Sequence, residues 1–264
     1  MPVDELQVAI KAVIRASEII LETFGNPTGI EYKSRVDVVT ETDKKCEEEI
    51  VNILRSETPE YGIIGEEGTN FLGEKVWIVD PLDGTTNFLH SYPFCGPSIG
   101  LCEGNTVLVG VLANPLSNEL FFASKNQGSY MNDLYNKGKP KKLQVTDTSE
   151  LHKSLFSSGF PHNKKSQRFK SMLERFMRLE HESHSIRKTG SAALSLAYVA
   201  AGRLESYVAS GVYSWDMAGG ALLVEEAGGK VTNFEGGPYT MESREWLVTN
   251  GAIHDQMVEL LKLE

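Results

Sequence analysis

The sequence has few cysteines and no long hydrophobic run. Its three cysteines, Cys46, Cys95 and Cys102, are too far apart for a zinc knuckle or a redox pair, and their odd number argues against a complete disulfide framework. No apolar run approaches the roughly 18 residues that a membrane-spanning helix needs. Acidic residues at positions 4 and 5 stand where a secretory or transit peptide has basic ones. We therefore expect a cytoplasmic protein with reduced thiols and no membrane segment.

The sequence also lacks the motifs of several other kinds of active site. Its six histidines show no metal-ligand spacing, and it contains no Gly-x-Ser-x-Gly motif, so neither a histidine zinc site nor a serine nucleophile is indicated. The net charge of −10 would repel a polyanion. A basic segment at residues 136–142 is interpreted as a solvated loop. We expect no direct nucleic-acid binding.

The first half of the chain predicts two helices followed by a meander. Apolar spacing predicts a helix over residues 4–24, which ends before Gly25, and a second helix over residues 43–57, capped by Thr40 or Thr42. Short apolar runs rich in β-branched residues, joined by turns, then predict an antiparallel meander. Its strands are expected at residues 63–64, 76–79, 98–101, 107–113 and 120–123.

The second half predicts alternating helices and strands. Helices are expected at residues 169–179, 192–201, 217–227 and 253–261, with strands at 206–209, 230–234 and 246–249. The chain is long enough for two packed subdomains. We predict an α+β protein with an N-terminal α+β subdomain over residues 1–145 and a C-terminal α/β subdomain over residues 146–264.

The most informative segment is Asp-Pro-Leu-Asp-Gly-Thr-Thr at residues 80–86, directly after a predicted strand. Asp80 and Asp83 are three residues apart, and in a strand of period two they would point to opposite faces. They converge only if the chain turns after Val79, and Pro81 fits such a turn. The carbonyl of Leu82 would then face the same cavity as both carboxylates.

The residues after Asp83 are suited to binding an anion. Gly84 lets the backbone approach a ligand closely, and Thr85 would open a helix whose free N–H groups favour a phosphate. Asp43, at the start of the second predicted helix, is a candidate partner for Thr85 in orienting a water molecule. Equally open is a role for Asp43 as an ordinary acidic residue in a first helical turn.

More carboxylates stand at strand ends and helix starts. Glu66 follows the strand-like residues 61–65, and Asp216 stands where a helix begins. If both converge with Asp80 and Asp83, repulsion of about 4 kcal/mol per pair at roughly 4 Å requires cations to hold them together. Two such ions suit phosphoryl transfer. The alternatives are a β-turn at residues 83–84, a solvated loop at residues 66–67 and a helix cap at Asp216.

A second helix start lies at Gly190, Ser191 and Ala192, behind Arg187 and Lys188. These residues would present amides and a hydroxyl to a substrate, or they simply cap a helix.

Two segments resemble the signatures of the inositol monophosphatase family of lithium-sensitive, magnesium-dependent phosphatases. They are Trp-Ile-Val-Asp-Pro-Leu-Asp-Gly-Thr-Thr-Asn-Phe at residues 77–88 and Trp-Asp-Met-Ala-Gly-Gly at residues 215–220, which runs into Glu-Ala-Gly-Gly at residues 226–229. The similarity covers nearly the whole chain. It implies a layered αβαβα sandwich of the inositol monophosphatase and fructose-1,6-bisphosphatase type, commonly dimeric. The implied reaction is hydrolysis of myo-inositol monophosphate, or a similar small polyol phosphate, by a metal-activated water.

The resemblance also implies a role for each candidate residue. One Mg²⁺ would bind Glu66, Asp80 and the Leu82 carbonyl, a second would bind Asp80, Asp83 and Asp216, and a third, weaker ion would lie near Glu66. Most of these ligands fall in residues 1–145. The implied catalytic residues are Asp43, Thr85 and Glu66. The implied substrate contacts are Asp83, Gly84, Thr85, Gly190, Ser191, Ala192 and Asp216.

One position departs from the family pattern. Inositol-specific members grip a ring hydroxyl with a glutamate seven residues before the last metal aspartate, and Ala209 stands there in this chain. Since a buried acceptor is what rejects other alcohols, selectivity for inositol is open. Ser210 could substitute in part. Fructose 1,6-bisphosphate, histidinol phosphate and 3′-phosphoadenosine nucleotides stay as alternative substrates, and a regulatory, partner-binding protein is the alternative class.

Overall fold

The structure is a computed structural model that describes residues 3–34 and 38–263. Its helices lie at or within a few residues of the predicted positions, and the helix expected to begin at Thr85 is present as a short one. The helices are α1 (Glu5–Thr23), α2 (Glu41–Glu57), α3 (Thr85–Leu89), α4 (Gln167–Glu182), α5 (Ala192–Ala200), α6 (Ser214–Glu226) and α7 (His254–Leu261). Thr40 is the residue that precedes and caps α2.

The strands form a large sheet, a smaller one and a short hairpin. The hairpin is β1 (Glu31–Tyr32) and β2 (Val38–Val39). The large sheet contains β3 (Gly62–Gly65), β4 (Asn70–Phe71), β5 (Lys75–Asp83), β6 (Gly96–Glu103), β7 (Thr106–Asn114), β8 (Glu119–Ser124), β9 (Ser129–Asn132) and β10 (Lys141–Lys142). The smaller sheet contains β11 (Leu155–Gly159), β12 (Ser185–Arg187), β13 (Ser206–Ser210), β14 (Lys230–Thr232) and β15 (Glu245–Thr249).

The meander prediction is confirmed for β5 to β8, which pair antiparallel in chain order. It is wrong for the strand at residues 63–64, because β3 pairs parallel with β5. Strands β11 and β12 are absent from the prediction, since Ser157 and Ser158 interrupt the apolar pattern of β11 and β12 is three residues long. In the smaller sheet, β11 pairs parallel with both β12 and β13. The carboxyl ends of three parallel strands therefore meet at one edge.

Helices and sheets alternate in five layers. Helices α1 and α2 cover the outer face of the large sheet, α5 and α6 lie between the two sheets, and α4 and α7 cover the far face of the smaller sheet. Helix α6 is apolar on all sides and buried from Met217 to Val224, as expected of a helix packed between two sheets. The predicted αβαβα fold is confirmed. The division at residue 145 stays a prediction.

Glycines set how closely α6 approaches the large sheet. A Cβ atom on Gly110 would collide with the carbonyl oxygen of Gly219, and one on Gly100 would lie 2.9 Å from the Cβ of Ala218. Backbone therefore packs on backbone, with no side chain between helix and sheet. This contact fixes the position of the first turn of α6, which carries Asp216.

The expected turn after Val79 is wrong, because β5 continues to Asp83. Its pairing with β6 shifts between Asp80, which faces Ser98, and Asp83, which faces Gly96, so β5 has one residue more than its partner over this stretch. Since side chains alternate along a strand, one extra residue returns Asp83 to the face of Asp80. A β-bulge thus does what the turn was expected to do.

The three cysteines are free and buried. Among the described residues, no helix is both long and apolar enough to cross a bilayer.

Candidate active site

Three carboxylates from β5 and α6 converge at the edge of the large sheet. Asp80, Asp83 and Asp216 each offer an oxygen within 4.8 Å of the other two. Asp80 and Asp83 are buried, with 1% and 8% exposure, and Asp216 is partly exposed. The main chain amide of Tyr213 donates to Asp216 Oδ2 over 2.6 Å and holds this carboxylate at the start of α6. Asp216 therefore helps to cap α6, as one interpretation of the sequence expected, and its carboxylate also lies in the cluster.

The oxygens of Asp80 are suited to a cation. Oδ1 accepts from the amide of Leu82 over 3.0 Å. Oδ2 is buried and has no hydrogen-bond partner among the described residues. Burial, together with the charges of Glu66, Asp83 and Asp216, raises the pKa of Asp80 well above its usual value. A crowded set of hard oxygen ligands with one unpartnered buried oxygen fits a divalent ion such as Mg²⁺.

Asp83 is held by the start of α5, more than a hundred residues away in sequence. The hydroxyl of Ser191 donates to Asp83 Oδ2 over 2.5 Å, and the amide of Ala193 donates to the same oxygen over 2.7 Å. Burial raises the pKa of Asp83 to about 6, although these hydrogen bonds act against the rise. The Ser191 hydroxyl, expected on the substrate side, is thus also a support for the carboxylate cluster.

Glu66 lies beside this cluster, directly after β3. Burial and the negative charge of Asp216 raise the pKa of Glu66 to about 8, against the opposing effect of Lys33. The ammonium nitrogen of Lys33 is 3.7 Å from Glu66 Oε1 and 2.7 Å from Glu67 Oε1. The sequence interpretation of residues 66–67 as a solvated loop is wrong, because the side chain of Glu66 is 26% exposed and that of Glu67 is 8% exposed.

A buried carboxylate on α2 holds the loop that carries Glu66. Glu47 accepts from the amide of Glu67 over 2.8 Å and from the amide and hydroxyl of Thr69 over 3.1 and 2.7 Å. A Cβ atom on Gly65 would lie 2.5 Å from Glu47 Oε2, so glycine is needed there. Sequence reasoning missed Glu47, although a charged residue four positions after Asp43, on the buried face of α2, is a usable signal.

Asp43 is both a capping residue and a partner of Thr85. It is 1% exposed. Its Oδ2 accepts from the amide and hydroxyl of Thr40 over 2.8 and 2.5 Å, and its Oδ1 accepts from the hydroxyl of Thr85 over 2.9 Å. Burial raises the pKa of Asp43. The two interpretations left open by the sequence therefore coexist.

Two glycines shape the backbone near the carboxylates. Gly84 precedes α3 with φ of +92°, and a Cβ atom there would lie 3.1 Å from the carbonyl oxygen of Phe94. Gly190 has φ of +82°, and a Cβ atom there would lie 2.7 Å from Asn87 Oδ1. Both positions favour glycine because φ is positive and the space is filled.

A cleft of about 580 Å³ borders part of this site, although Asp43, Glu66, Asp80 and Thr85 are not among the residues that line it. Its lining includes Asp83, Asp216, Gly190, Ser191 and Ala192. Ala209 is fully buried in β13, and the Ser210 hydroxyl lies 3.4 Å from Glu245 Oε1. The hydroxyl of Ser210 is thus already engaged within the protein.

Comparison with known proteins agrees with this geometry. A family model described as "Inositol monophosphatase family" matches residues 3–263. Inositol monophosphatase 1 of Solanum lycopersicum is 39% identical over 98% of this chain and 94% of its own length. The fructose-1,6-bisphosphatase/inositol-1-monophosphatase of Thermotoga maritima is 32% identical over 98% of this chain and 96% of its own length.

Solved structures show the same fold. The crystal structure of the extragenic suppressor protein suhB from Bartonella henselae matches with a TM-score of 0.89 and 34% identity, over 97% of both chains. Together with the family match along nearly the whole chain, these similarities settle the classification. The chain belongs to the inositol monophosphatase family, and it is a phosphoric monoester hydrolase.

Proposed function

We propose that this chain is a Mg²⁺-dependent phosphatase that hydrolyses myo-inositol monophosphate, or a similar small polyol phosphate, by direct attack of water. The observation that carries the proposal is the convergence of Asp80, Asp83 and Asp216, with Asp80 Oδ2 buried and unpartnered among the described residues. A cluster of this kind is stable in its charged form only with cations.

The chain offers ligands for two to three ions. One Mg²⁺ is assigned to Glu66, Asp80 and the Leu82 carbonyl, a second to Asp80, Asp83 and Asp216, and a third, weaker one to the vicinity of Glu66. Bound magnesium would stabilise the negative charge that builds up on the phosphate and on the leaving oxygen.

The catalytic side chains are assigned as Asp43, Thr85 and Glu66. Because the Thr85 hydroxyl donates its proton to Asp43 over 2.9 Å, its oxygen is left as an acceptor for a proton of the attacking water. Glu66, from the loop after β3, is proposed to help to position the same attacking water. Asp43 therefore acts by orienting Thr85.

Substrate contacts are assigned on two sides of the cleft. The amides of Gly84 and Thr85 hold the phosphate next to Asp83 and Asp216. Gly190, Ser191 and Ala192 line the alcohol side, as their place in the cleft lining supports. With Ala209 in place of a glutamate, this side lacks a carboxylate for a ring hydroxyl at that position. We also propose that the enzyme is a cytoplasmic homodimer and, as its family would suggest, lithium-sensitive.

The test is release of free phosphate from myo-inositol 1-phosphate, with and without Mg²⁺. We expect activity that depends on Mg²⁺ and is lost in Asp83→Asn. Asp255→Asn is the control, because Asp255 is 96% exposed. Wild-type rates in Asp83→Asn would contradict the assignment of the site.

A further inference from the structure

The two sides of the proposed substrate site come from different parts of the fold. Gly84 and Thr85 lie where α3 begins, after β5 of the large sheet, whereas Gly190 and Ser191 lie between β12 of the smaller sheet and α5. The distance between the phosphate side and the alcohol side therefore depends on contacts that join α3 to the segment before α5. The side chain of Asn87 makes such a contact.

The carboxamide of Asn87 joins two main-chain carbonyl groups. Its Nδ2 atom donates to the carbonyl oxygen of Phe94 over 2.7 Å and to that of Thr189 over 2.9 Å. Both partners are acceptors, so they need an NH₂ group, which a carboxylate or an apolar side chain does not offer. A Cβ atom on Gly190 would lie 2.7 Å from Asn87 Oδ1, so the main chain of residue 190 packs directly on the carboxamide. Because Asn87 is two positions after Thr85, one short helix carries both a proposed phosphate contact and the contact with the alcohol side.

Thr189 is held from its other side by buried hydroxyl groups. Its Oγ1 atom lies 2.8 Å from Ser195 Oγ and 3.2 Å from Ser157 Oγ, and the two serine oxygens are 3.3 Å apart. Both serines are fully buried, Ser157 on β11 and Ser195 on α5. The hydroxyl of Ser195 also donates to the carbonyl oxygen of Ser191 over 2.6 Å. The carbonyl group of Thr189 is thus bound to α3, and its hydroxyl group is bound to the smaller sheet and α5.

We propose that Asn87 is a positioning residue, which through Thr189 fixes the alcohol side of the site relative to the phosphate side. The carboxylate cluster keeps a support of its own, because the amide of Ala193, inside α5, donates directly to Asp83. Loss of the Asn87 contact should therefore misplace the alcohol part of a substrate while its phosphate stays bound. A misplacement of about 1 Å can slow a reaction by about 10²-fold. The inference rests on the proposed function, which assigns the two sides of the site.

The kinetic test compares myo-inositol 1-phosphate with phenyl phosphate, whose leaving group has no further hydroxyl groups for the alcohol side to orient. Asn87→Leu keeps the size of the side chain and removes both donors, so kcat/KM for myo-inositol 1-phosphate should fall by about 10–100-fold. The kcat/KM for phenyl phosphate, and the inhibition constant of inorganic phosphate, should change less than about twofold. Thr189→Val should act in the same direction, whereas Thr189→Ser keeps the hydroxyl and should retain most of the activity. Asn52→Leu is the matched control, because Asn52 is exposed on α2. An equal loss with both esters would overturn the role of Asn87, because a merely destabilised site loses both activities.

Hydrogen exchange of the metal-free protein tests the same contact without activity. In Asn87→Leu, amide exchange of residues 189–194 should be about three- to tenfold faster than in wild type, while β13 exchanges as before. If wild type hydrolyses myo-inositol 1-phosphate but neither selectivity nor exchange responds to the change, the positioning role is wrong and the proposed function stands. Altered selectivity without faster exchange would indicate that Asn87 contacts the substrate directly, and would overturn positioning through Thr189. A wild type that hydrolyses no phosphate ester overturns the proposed function, and the positioning role with it, whatever the exchange shows.

Discussion

The hydroxyl of Thr85 donates a hydrogen bond of 2.9 Å to Asp43 Oδ1 and so joins the start of α3 to the start of α2. Asp43 also accepts two hydrogen bonds from Thr40, which fix its carboxylate from the opposite side. The orientation of the Thr85 hydroxyl is therefore set by the capping of a helix rather than by the substrate.

Breaking this pair is expected to slow the reaction. Asp43→Asn and Thr85→Val remove the acceptor and the hydroxyl, and kcat should fall by about 10²–10⁴-fold, the usual range for a positioned proton acceptor. The Mg²⁺ concentration for half-maximal activity should stay close to that of wild type. Thr85→Ser keeps the hydroxyl and should retain most of kcat. A fully active Thr85→Val would refute the role of the hydroxyl.

The stability of the metal-free protein should fall as pH rises from 6 to 8. Burial and neighbouring charge raise the pKa of Glu66 to about 8, well above its ordinary value of 4.5. The folded protein therefore binds this proton more tightly than the unfolded chain, and the stabilisation is lost as pH rises through 8.

Thermal unfolding in a chelator at several pH values measures how the stability of the metal-free protein changes with pH. Because the side chain of the Glu66→Gln variant cannot titrate, its stability should change less with pH. Mg²⁺ binds the ionised carboxylates of the folded state, so it should raise Tm most at the alkaline end. A metal-free protein that becomes steadily more stable from pH 6 to 8 would contradict the prediction.

Glu47→Gln should weaken metal binding without removing any proposed ligand. Glutamine keeps the size but turns an amide donor towards backbone donors that Glu47 accepts, including the amide of Glu67 at 2.8 Å. The loop with Glu66 should loosen, and the Mg²⁺ requirement should rise by about 10–100-fold while kcat at saturating Mg²⁺ changes little.

The matched control for this change is Glu48→Gln, since Glu48 is the exposed neighbour on the same helix. A merely structural effect of Glu47→Gln would lower Tm and leave the Mg²⁺ titration of activity where it was.

Gly110→Ala should separate α6 from the large sheet. The added methyl group collides with the carbonyl of Gly219, and forced overpacking of this kind costs about 1–3 kcal/mol. Because α6 carries Asp216, Mg²⁺ affinity should fall together with stability. Calorimetric Mg²⁺ titration and denaturant unfolding measure the two effects.

Gly104→Ala provides the comparison. Gly104 has φ of +57° with open space around it, so alanine there strains only the backbone of a distant turn. It should lower the free energy of unfolding and leave Mg²⁺ affinity unchanged. If both variants affect Mg²⁺ binding equally, the helix–sheet contact is not what sets it.

Local patterns predicted the larger elements well. The apolar strands β5 to β8 and the amphipathic helices α1 and α2 carry their signals within short stretches of sequence. Strand β11 was not predicted because serines interrupt its apolar pattern. Asp80 and Asp83 were correctly brought together, but by a bulge, whose extra residue depends on pairing with β6 and leaves no mark in the sequence of β5 alone.

The supports of the site were harder to predict. The bond from Ser191 to Asp83 joins residues 108 positions apart and exists only once α5 packs against the large sheet. Glu47 was overlooked because a glutamate on a helix is usually exposed, and its burial depends on the loop that folds over it. The carboxylates of the cluster and the pairing of Asp43 with Thr85 could be predicted from the sequence, but the hydrogen bonds that hold Asp83 and the loop with Glu66 could not.

The glycine contact between α6 and the large sheet also bears on ion selectivity. With backbone touching backbone at Gly110 and Gly219, the separation between Asp216 and Asp80 has little freedom to widen. Magnesium holds its oxygen ligands at about 2.0–2.1 Å and calcium at about 2.3–2.6 Å. If the cluster holds the proposed magnesium ion, we expect this packing to disfavour calcium, whose longer bonds to oxygen would require Asp216 and Asp80 to move apart.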